Sequence, residues 1–108
     1  MNPIWSLRAQ RDMIDVGEYI AKDNPSAALA MLERIEERVE KGAESPLTGR
    51  VVPEFSNAEI REFILGNYRI VYRVGKATKG GIVVLAVFEG RRLFPSDIAE
   101  TIEGPTEG

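Results

Sequence analysis

The stretch Asn67–Val74, with the sequence NYRIVYRV, decides how this chain folds. Its β-branched and aromatic residues are typical of a strand, and alternate side chains of a strand point to opposite faces. One face carries Tyr68, Ile70, Tyr72 and Val74. The other face carries Asn67, Arg69, Val71 and Arg73. The alternation predicts a strand that buries its first face and presents two arginines on its second.

Two more predicted strands lie on either side of this stretch. Ile60–Leu65 precedes it across the turn-forming pair Gly66-Asn67, and residues 75–81 connect it to Ile82–Phe88. The last of these segments is apolar at every position, as expected of a central strand that is covered on both faces. Because the connections are short, we expect the three strands to pair antiparallel.

Two amphipathic helices are predicted upstream of the strands. In residues 8–22, an apolar stripe consists of Ala9, Met13, Val16 and Ile20, and the polar side consists of Arg8, Arg11, Asp12, Asp15 and Lys22. Asn24 is a good N-cap and Pro25 suits the first position of the second helix. That helix has a stripe of Ala28, Leu32, Ile35 and Val39 and is expected to end at a Gly42 cap. The short break between the helices predicts an antiparallel hairpin.

The order of elements predicts an α+β fold in a single domain over residues 1–102, with a flexible tail at 103–108. A short opening strand at residues 3–7 precedes the helices. The helical hairpin is expected to pack on one face of the antiparallel sheet and to leave the other face open or concave. Residues 43–59 are predicted as a long connection without regular structure, and Ser96–Glu100 as a last helical turn capped by Ser96.

The composition excludes several classes of site. The 108 residues include no cysteine and no histidine, which removes disulfides, thiolate metal sites and the commonest general base. No spacing of acidic residues suggests a metal site, and no cofactor is expected. The chain has neither an apolar run long enough for a membrane span nor a secretory signal pattern, so a cytosolic location and no membrane partner are expected.

Charge is distributed unevenly along the chain. Residues 41–92 carry 9 basic and 5 acidic groups, a net charge of +4, whereas the whole chain has a net charge of −3. The arginines in or beside the predicted strands form a candidate cationic patch: Arg61, Arg69, Arg73, Arg91 and Arg92. Arginine recognises phosphate or carboxylate groups in a bidentate manner, which favours an anionic target. The alternative is that these arginines are solvated or paired with Glu59, Glu62 or Glu89.

Several short motifs together resemble one family. They are Tyr19-Ile20-Ala21, Asp23-Asn24-Pro25, Pro46-x-x-Gly49-Arg50, Val52-Pro53-Glu54, Ile60-Arg61-Glu62, the strand Asn67–Arg73 and Gly90-Arg91-Arg92. The chain resembles the ParE/RelE superfamily of toxins from bacterial type II toxin–antitoxin modules, from about residue 5 to residue 94. The resemblance implies a helical hairpin on a curved antiparallel sheet. It also implies a hetero-oligomer with a cognate antitoxin protein.

The superfamily divides into two activities, and the resemblance favours one of them. RelE-like members resemble ribosome-dependent endoribonucleases, whereas ParE-like members resemble inhibitors of DNA gyrase. RNA-cutting relatives tend to carry lysines at the positions matching Ile60 and Glu62, and a Tyr or His near the C-terminus, which residues 89–108 lack. Many relatives also have a His where this chain has Glu89. Since arginine is a poor base, the residues favour a ParE-like gyrase inhibitor.

Two alternatives stay open. One is an mRNA endoribonuclease acting at the ribosome, for which the candidate catalytic residues are Arg61, Arg69, Glu89 and Arg92. The other is a homologue without toxicity that only binds its antitoxin. In either case the antitoxin is expected to cover apolar residues that a lone domain exposes: Trp5, Tyr19, Leu29 and Phe94.

Overall fold

The computed structural model of the protein describes residues 2–104. Over this range the helices are α1 (Leu7–Ala21), α2 (Pro25–Glu44) and α3 (Ser96–Glu103). The strands are β1 (Ile4–Trp5), β2 (Arg50–Val51), β3 (Ile60–Leu65), β4 (Tyr68–Val74) and β5 (Ile82–Glu89). The predicted α+β class, the helical hairpin and the three long strands are confirmed. The predicted tail begins at Glu103, which is the last residue of α3, and residues 105–108 lie outside the described residues.

The strands form one mixed sheet in the order β1-β5-β4-β3-β2. β1 pairs in parallel with β5, and the other neighbours are antiparallel. The predicted connection at residues 43–59 contains a strand that the sequence pattern did not reveal, because β2 has only two residues and pairs with Arg61 and Glu62 of β3. A bulge in β5 adds Leu85, since Val71 faces Ala86 whereas the next residue, Tyr72, faces Val84.

Caps and close contacts shape the helical hairpin. The Asn24 side chain accepts a hydrogen bond from the Ala27 N–H at 3.1 Å, and Pro25 is the first residue of α2, as predicted. Gly42 is not the C-terminal cap but lies inside α2. A Cβ at Gly42 would come within 2.1 Å of the Phe63 ring, so the glycine allows the helix to approach β3.

The face of the sheet that meets α1 and α2, called the hairpin face here, holds the larger core. Its buried residues include Ile70, Tyr72 and Val74 of β4, so the predicted inward set of that strand is confirmed at these positions. The rings of Phe63 and Tyr72 stack with centroids 4.4 Å apart. The Tyr72 hydroxyl accepts a hydrogen bond from the Gly49 N–H at 3.1 Å and donates one to the Pro46 carbonyl at 2.5 Å, which fixes the chain before β2.

The opposite face of the sheet, called the far face here, is not open as predicted. A second core covers it, formed by apolar residues of the sheet, of the segment after β2 and of α3: Val52, Ile60, Val71, Leu85, Ala86, Phe88 and Ile98, with Phe55, Phe94 and Ile102 packed against them. The reason is that the sheet itself presents apolar side chains on this face, and residues 52–55 and 94–102 return to bury them.

The free edge of β5 beyond β1 is closed by α1. Asp12 was expected on the polar side of its helix, but it is buried, and its carboxylate accepts a hydrogen bond from the Val87 N–H at 2.8 Å. The same carboxylate binds the guanidinium of Arg8 at 2.8 Å, and Arg8 also pairs with Asp97 of α3. The hydrogen bond from Val87 and the two ion pairs of Arg8 therefore connect α1 with β5 and α3.

Within residues 2–104, no helix is both long and apolar enough to cross a membrane.

Candidate functional site

The structure separates the five predicted arginines into three places. β3 and β4 are in register with Ile64 opposite Arg69, and Glu62 opposite Val71. Since side chains alternate along each strand, Glu62 lies on the far face with Arg69, and Arg61 lies on the hairpin face. Arg91 and Arg92 follow β5. The five guanidinium groups therefore do not form one continuous patch.

Arg69 lies at the centre of an ion network, defined as Arg50, Glu54, Glu62 and Arg69, in which Glu62 and Arg69 are buried. Its Nε donates to Glu62 at 2.6 Å, and its two terminal nitrogens donate to both carboxylate oxygens of Glu54 at 2.7 and 2.8 Å. Glu62 is 1% exposed and also accepts from the Nε of Arg50 at 2.6 Å. Each of the three nitrogens of the Arg69 guanidinium therefore donates a hydrogen bond to a carboxylate.

Electrostatics and aromatic contacts hold this network in place. The hydrogen bonds that Arg69 donates to Glu54 are the main cause that raises the pKa of Arg69, and the same hydrogen bonds lower the pKa of Glu54. The guanidinium also lies 5.4 Å from the ring centroid of Phe88 and 5.5 Å from that of Phe94, within the range of cation–π attraction. The expectation that Arg69 is displayed on an open surface is wrong, because Glu54 and Phe94 cover it.

Arg61 and Arg73 are engaged with nearby groups. Arg61 donates to the carbonyl oxygens of Ala58 and Gly49, both at 2.9 Å, and so holds the connection around β2. Arg73 is half-buried and lies 3.9 Å from a carboxylate oxygen of Glu59. Both arginines therefore contact neighbouring segments of the chain and stabilise their local conformation.

Of the remaining two arginines, Arg92 lines a surface cleft of about 780 Å³ at the end of β5, and Arg91 precedes it in the chain. This cleft is lined by residues of α1, of the two central strands and of the segment that follows β5: Arg8, Asp12, Asp15, Val16, Tyr19, Tyr68, Val87, Phe88, Glu89, Arg92, Leu93 and Pro95. No ion pair joins Arg92 to another of the residues 2–104. Arg91 pairs with Glu89 at 2.7 Å, but its side chain is 83% exposed. Arg91 and Arg92 are therefore the predicted cations that a large partner can reach.

The titratable groups that line this cleft are phenols, arginines and carboxylates. Tyr68 lies opposite Glu89 in the sheet register. Burial, together with the charges of Glu89 and Tyr19, raises the pKa of Tyr68, so its phenol keeps its proton at neutral pH. Arginine also keeps its proton, which leaves Asp15 and Glu89 as the exposed or half-buried carboxylates of the cleft. The cleft thus offers phenol donors, one unpaired cation and two accessible carboxylates.

The four residues predicted to bind an antitoxin occupy different surroundings. Tyr19 is 67% exposed at the rim of the cleft, and Leu29 is 61% exposed on α2. Trp5 is half-buried and lines a second surface groove beside α1. Phe94 packs edge-on against Phe55 and Phe88, with ring centroids 5.0 and 5.4 Å away, so it belongs mainly to the far-face core.

Sequence reasoning missed two polar groups that organise the site, the buried Asp12 and the exposed Glu54, whereas it had named Glu62 as a possible partner of the arginines. One signal was present for Asp12, since Ala9, Asp12 and Val16 are spaced three and four residues apart and share one helix face. Glu54 gave no comparable signal, because its role depends on a loop that returns over the sheet.

Comparison with known proteins identifies the family. A family model described as the ParE toxin of the type II toxin–antitoxin system parDE matches residues 4–94. The chain belongs to the ParE toxin family. Helix α3 lies beyond the matched residues. A relative in Sinorhizobium fredii named "Putative toxin Y4kP" is 34% identical over 93 residues, which span 84% of this chain and 90% of the relative.

Solved structures support the ParE/RelE-like fold. The toxin–antitoxin structure described as the chromosomal ParDE system from P. aeruginosa matches with a TM-score of 0.65 and 21% identity. The RelBE2 toxin–antitoxin complex from Mycobacterium tuberculosis matches with a TM-score of 0.52 and 21% identity. Each match covers 82% of this ParE-family chain and 95% of the other chain. The superfamily resemblance of the sequence is therefore confirmed.

Proposed function

We propose that the protein arrests growth by binding DNA gyrase, without cutting RNA, and that a cognate antitoxin neutralises it. Membership of the ParE toxin family supports the class of activity. The observation that carries the choice between binding and cleavage is the state of Arg69. Its guanidinium is hydrogen-bonded to Glu54 and Glu62 and shielded by Phe94, so it is not free to bind a phosphate.

The requirements of RNA cleavage support the same choice. Attack by a 2′-hydroxyl needs a base, a cation to stabilise the phosphate charge and an acid for the leaving oxygen. In this chain the central arginine is occupied and the phenol of Tyr68 has a raised pKa, which weakens it as an acid. The exposed guanidinium groups of Arg91 and Arg92 are better suited to holding an anionic or polar partner surface.

The target-contacting surface of this proposal is the segment Arg91–Leu93. Two exposed arginines are followed by Leu93, which is 94% exposed, so the segment presents two cations and an apolar side chain to a partner. Arg69 supports this surface from beneath rather than touching the target, because its guanidinium packs against Phe88 and Phe94 at the two ends of the segment.

A supercoiling assay with purified gyrase tests the proposal. The wild-type protein is expected to inhibit supercoiling, and the variant Arg91→Ala/Arg92→Ala to need about tenfold more protein, equivalent to about 1.4 kcal/mol. The matched control is Lys76→Ala/Lys79→Ala, which removes two exposed cations from the opposite end of β5. Unaffected supercoiling at excess wild-type protein, together with normal growth on induction, would leave a protein that only binds its antitoxin.

One arrangement favours an mRNA endoribonuclease as the second candidate. Glu89, Arg92 and Tyr68 line the same cleft, so a carboxylate base, a cation and a phenol lie around one space. Primer extension on mRNA from cells that express the protein distinguishes the two activities. Cuts that appear with the wild type and disappear with Glu89→Gln would establish cleavage and overturn the gyrase proposal.

A further inference from the structure

The flank of α2 beside β3 carries a stripe of cations. Arg34, Arg38 and Lys41 are spaced four and three residues apart, so they share one side of the helix over a length of about 10 Å. Leu32, which meets Gly17 of α1, lies on the other flank of α2. The stripe is therefore separate from the contact between the two helices.

Packing holds Arg38 in a defined position. Its guanidinium lies 4.0 Å from the centroid of the Phe63 ring, within the range of cation–π attraction. Phe63 is 2% exposed and stacks on Tyr72 with ring centroids 4.4 Å apart. Because the Arg38 side chain is already ordered on this ring, it loses less conformational entropy when its N–H groups bind an anion.

Arg61 of β3 adds a fourth cation beside the stripe. Arg61 and Phe63 are two residues apart on one strand, so both side chains lie on the hairpin face. Two of the three Arg61 guanidinium nitrogens donate to backbone carbonyl groups, and no hydrogen bond within residues 2–104 uses the third. Burial raises the pKa of Tyr72, whereas the positive charges of Arg61 and Arg38 both act to lower it, so these two guanidinium groups lie near the same hydroxyl.

The four cations Arg34, Arg38, Lys41 and Arg61 are called the basic surface here. No ion pair joins any of them to a carboxylate of the described chain, which runs from residue 2 to residue 104. The whole chain has a net charge of −3, so the basic surface is a local concentration of positive charge on an acidic protein. Such a local field attracts an anionic partner and orients it.

The chemistry of the basic surface favours the backbone of a double helix. Proteins that bind single strands stack the bases on exposed aromatic rings, whereas Phe63 is buried beneath Arg38. Proteins that distinguish RNA use the 2′-hydroxyl, which can both donate and accept, whereas arginine and lysine side chains only donate. Contacts to phosphate require only such donors, and arginine can bind a phosphate through two parallel hydrogen bonds.

We propose that the basic surface binds the phosphate backbone of duplex DNA. Arg34, Arg38 and Lys41 contact phosphates along the helix stripe, and Arg61 contributes its remaining nitrogen from β3. These contacts position the protein on DNA without reading its sequence. The inference goes beyond the proposed function and does not depend on the identity of the toxin's target.

Fluorescence anisotropy of a short labelled DNA duplex tests the proposal. The full chain is expected to bind saturably at about 50 mM salt and to lose affinity as the salt rises to about 200 mM. Arg34→Gln/Lys41→Gln replaces two exposed members of the basic surface. This variant is expected to bind about tenfold more weakly and to make the slope of log affinity against log salt less steep by about 2.

Two further variants separate the basic surface from net charge alone. Arg11→Gln/Lys22→Gln removes the same two charges from exposed positions in and directly after α1, and is expected to bind as the wild type does. Arg38→Lys keeps the charge but loses the planar group that lies on Phe63, so it is expected to bind more weakly with an unchanged salt slope. Thermal unfolding followed by circular dichroism verifies that all variants are folded.

Four results would overturn the inference. The first is no binding of the duplex by the wild type at low salt, and the second is an equal loss of affinity in the two double variants. The third is tighter binding of RNA, single-stranded or duplex, than of DNA with the same sequence. The fourth is displacement of the DNA by polyglutamate at an equal concentration of negative charge, which would assign the basic surface to an acidic protein.

Discussion

The hairpin face and the far face belong to one sheet but are stabilised by different chemistry. On the hairpin face, Phe63, Ile70 and Tyr72 form an apolar core under two long helices. On the far face, the buried pair Glu62 and Arg69 lies among apolar residues. An apolar core loses stability in proportion to the contacts removed, whereas a buried ion pair loses much more when only one partner is removed. The two faces should therefore respond differently to single substitutions.

The largest expected effect comes from removing Arg69, one of the two buried members of the ion network. Arg69→Met leaves Glu62 with Arg50 alone and is expected to lower the free energy of unfolding by about 3–5 kcal/mol. The matched control is Arg73→Met on the same strand and face, where the carboxylate is 3.9 Å away and the side chain partly exposed, with an expected loss below about 1 kcal/mol. Urea unfolding measures both. The double variant Glu62→Leu/Arg69→Met should recover most of the loss of stability. Similar losses for Arg69→Met and Arg73→Met would contradict the comparison of the two faces.

On the hairpin face, the sharpest test is an added methyl group. Gly42→Ala forces its Cβ toward the Phe63 ring and is expected to cost about 1–3 kcal/mol. Gly17→Ala is the control, since its Cβ would lie 3.0 Å from the end of the flexible Leu32 side chain. Chemical denaturation of Gly42→Ala, Phe63→Leu and the double variant should show less than additive losses, because the smaller side chain makes room. Strict additivity would mean that Gly42 does not serve the contact with Phe63.

An effect of similar size is expected where α1 closes the sheet edge between the two faces. Asp12→Ala leaves the buried Val87 N–H without its acceptor and is expected to cost about 1–3 kcal/mol. Asp15→Ala, at an exposed position of the same helix, should be near neutral. Hydrogen exchange adds a local measurement, since the Val87 amide should lose protection in Asp12→Ala only. Unchanged protection of the Val87 amide in Asp12→Ala would show that this hydrogen bond does not close the edge of the sheet.

The smallest effect expected is a dependence of stability on acid pH. Hydrogen bonds from Arg69 lower the pKa of Glu54, and hydrogen bonds from Arg8 lower that of Asp97. Because the folded values lie below the unfolded ones, the stabilisation is complete above the unfolded pKa of about 4 and is lost as the pH falls through the folded values. Both carboxylates are partly exposed, so each contribution should stay below about 1 kcal/mol.

Urea unfolding between pH 6 and pH 3 checks this dependence. Glu54→Gln should reduce the slope of stability against pH below about pH 4.5, because one shifted carboxyl group is removed. Glu100→Gln, at an exposed position of α3, is the control. A slope that is unchanged by Glu54→Gln would show that the pair of Arg69 and Glu54 does not contribute to acid sensitivity.

The hairpin face could be predicted from the sequence because its signals are local. The helix stripes, the Asn24 cap and the alternation along β4 each depend on residues a few positions apart, and the structure confirms them. The two-residue β2 has no such periodicity, so it became part of a predicted loop. Gly42 had the right type and position for a cap, but packing against Phe63 gives it another role.

The far face could not be predicted in the same way, because its coverage depends on distant segments. Alternation placed Arg69 correctly on the face away from the helices, but it could not show that Glu54 and Phe94 fold back over it. The prediction of an open cationic surface was therefore wrong for its central residue, Arg69. For the predicted target contacts at Arg91 and Arg92, the structure shows exposure only, and their role stays a prediction.

The extra residue in β5 has a consequence for which changes of length this strand can accept. The N–H and C=O groups of successive strand residues point to opposite sides of the strand. The Val84 carbonyl and the Val87 N–H nevertheless both face the outer edge of the sheet, because the bulge residue Leu85 shifts the pairing by one position between them. Deleting one residue here would turn the Val87 amide inward and present a different amide to Asp12. Insertions and deletions in this strand should therefore be tolerated only when two residues are added or removed together, because only an even change keeps the direction of the Val87 amide.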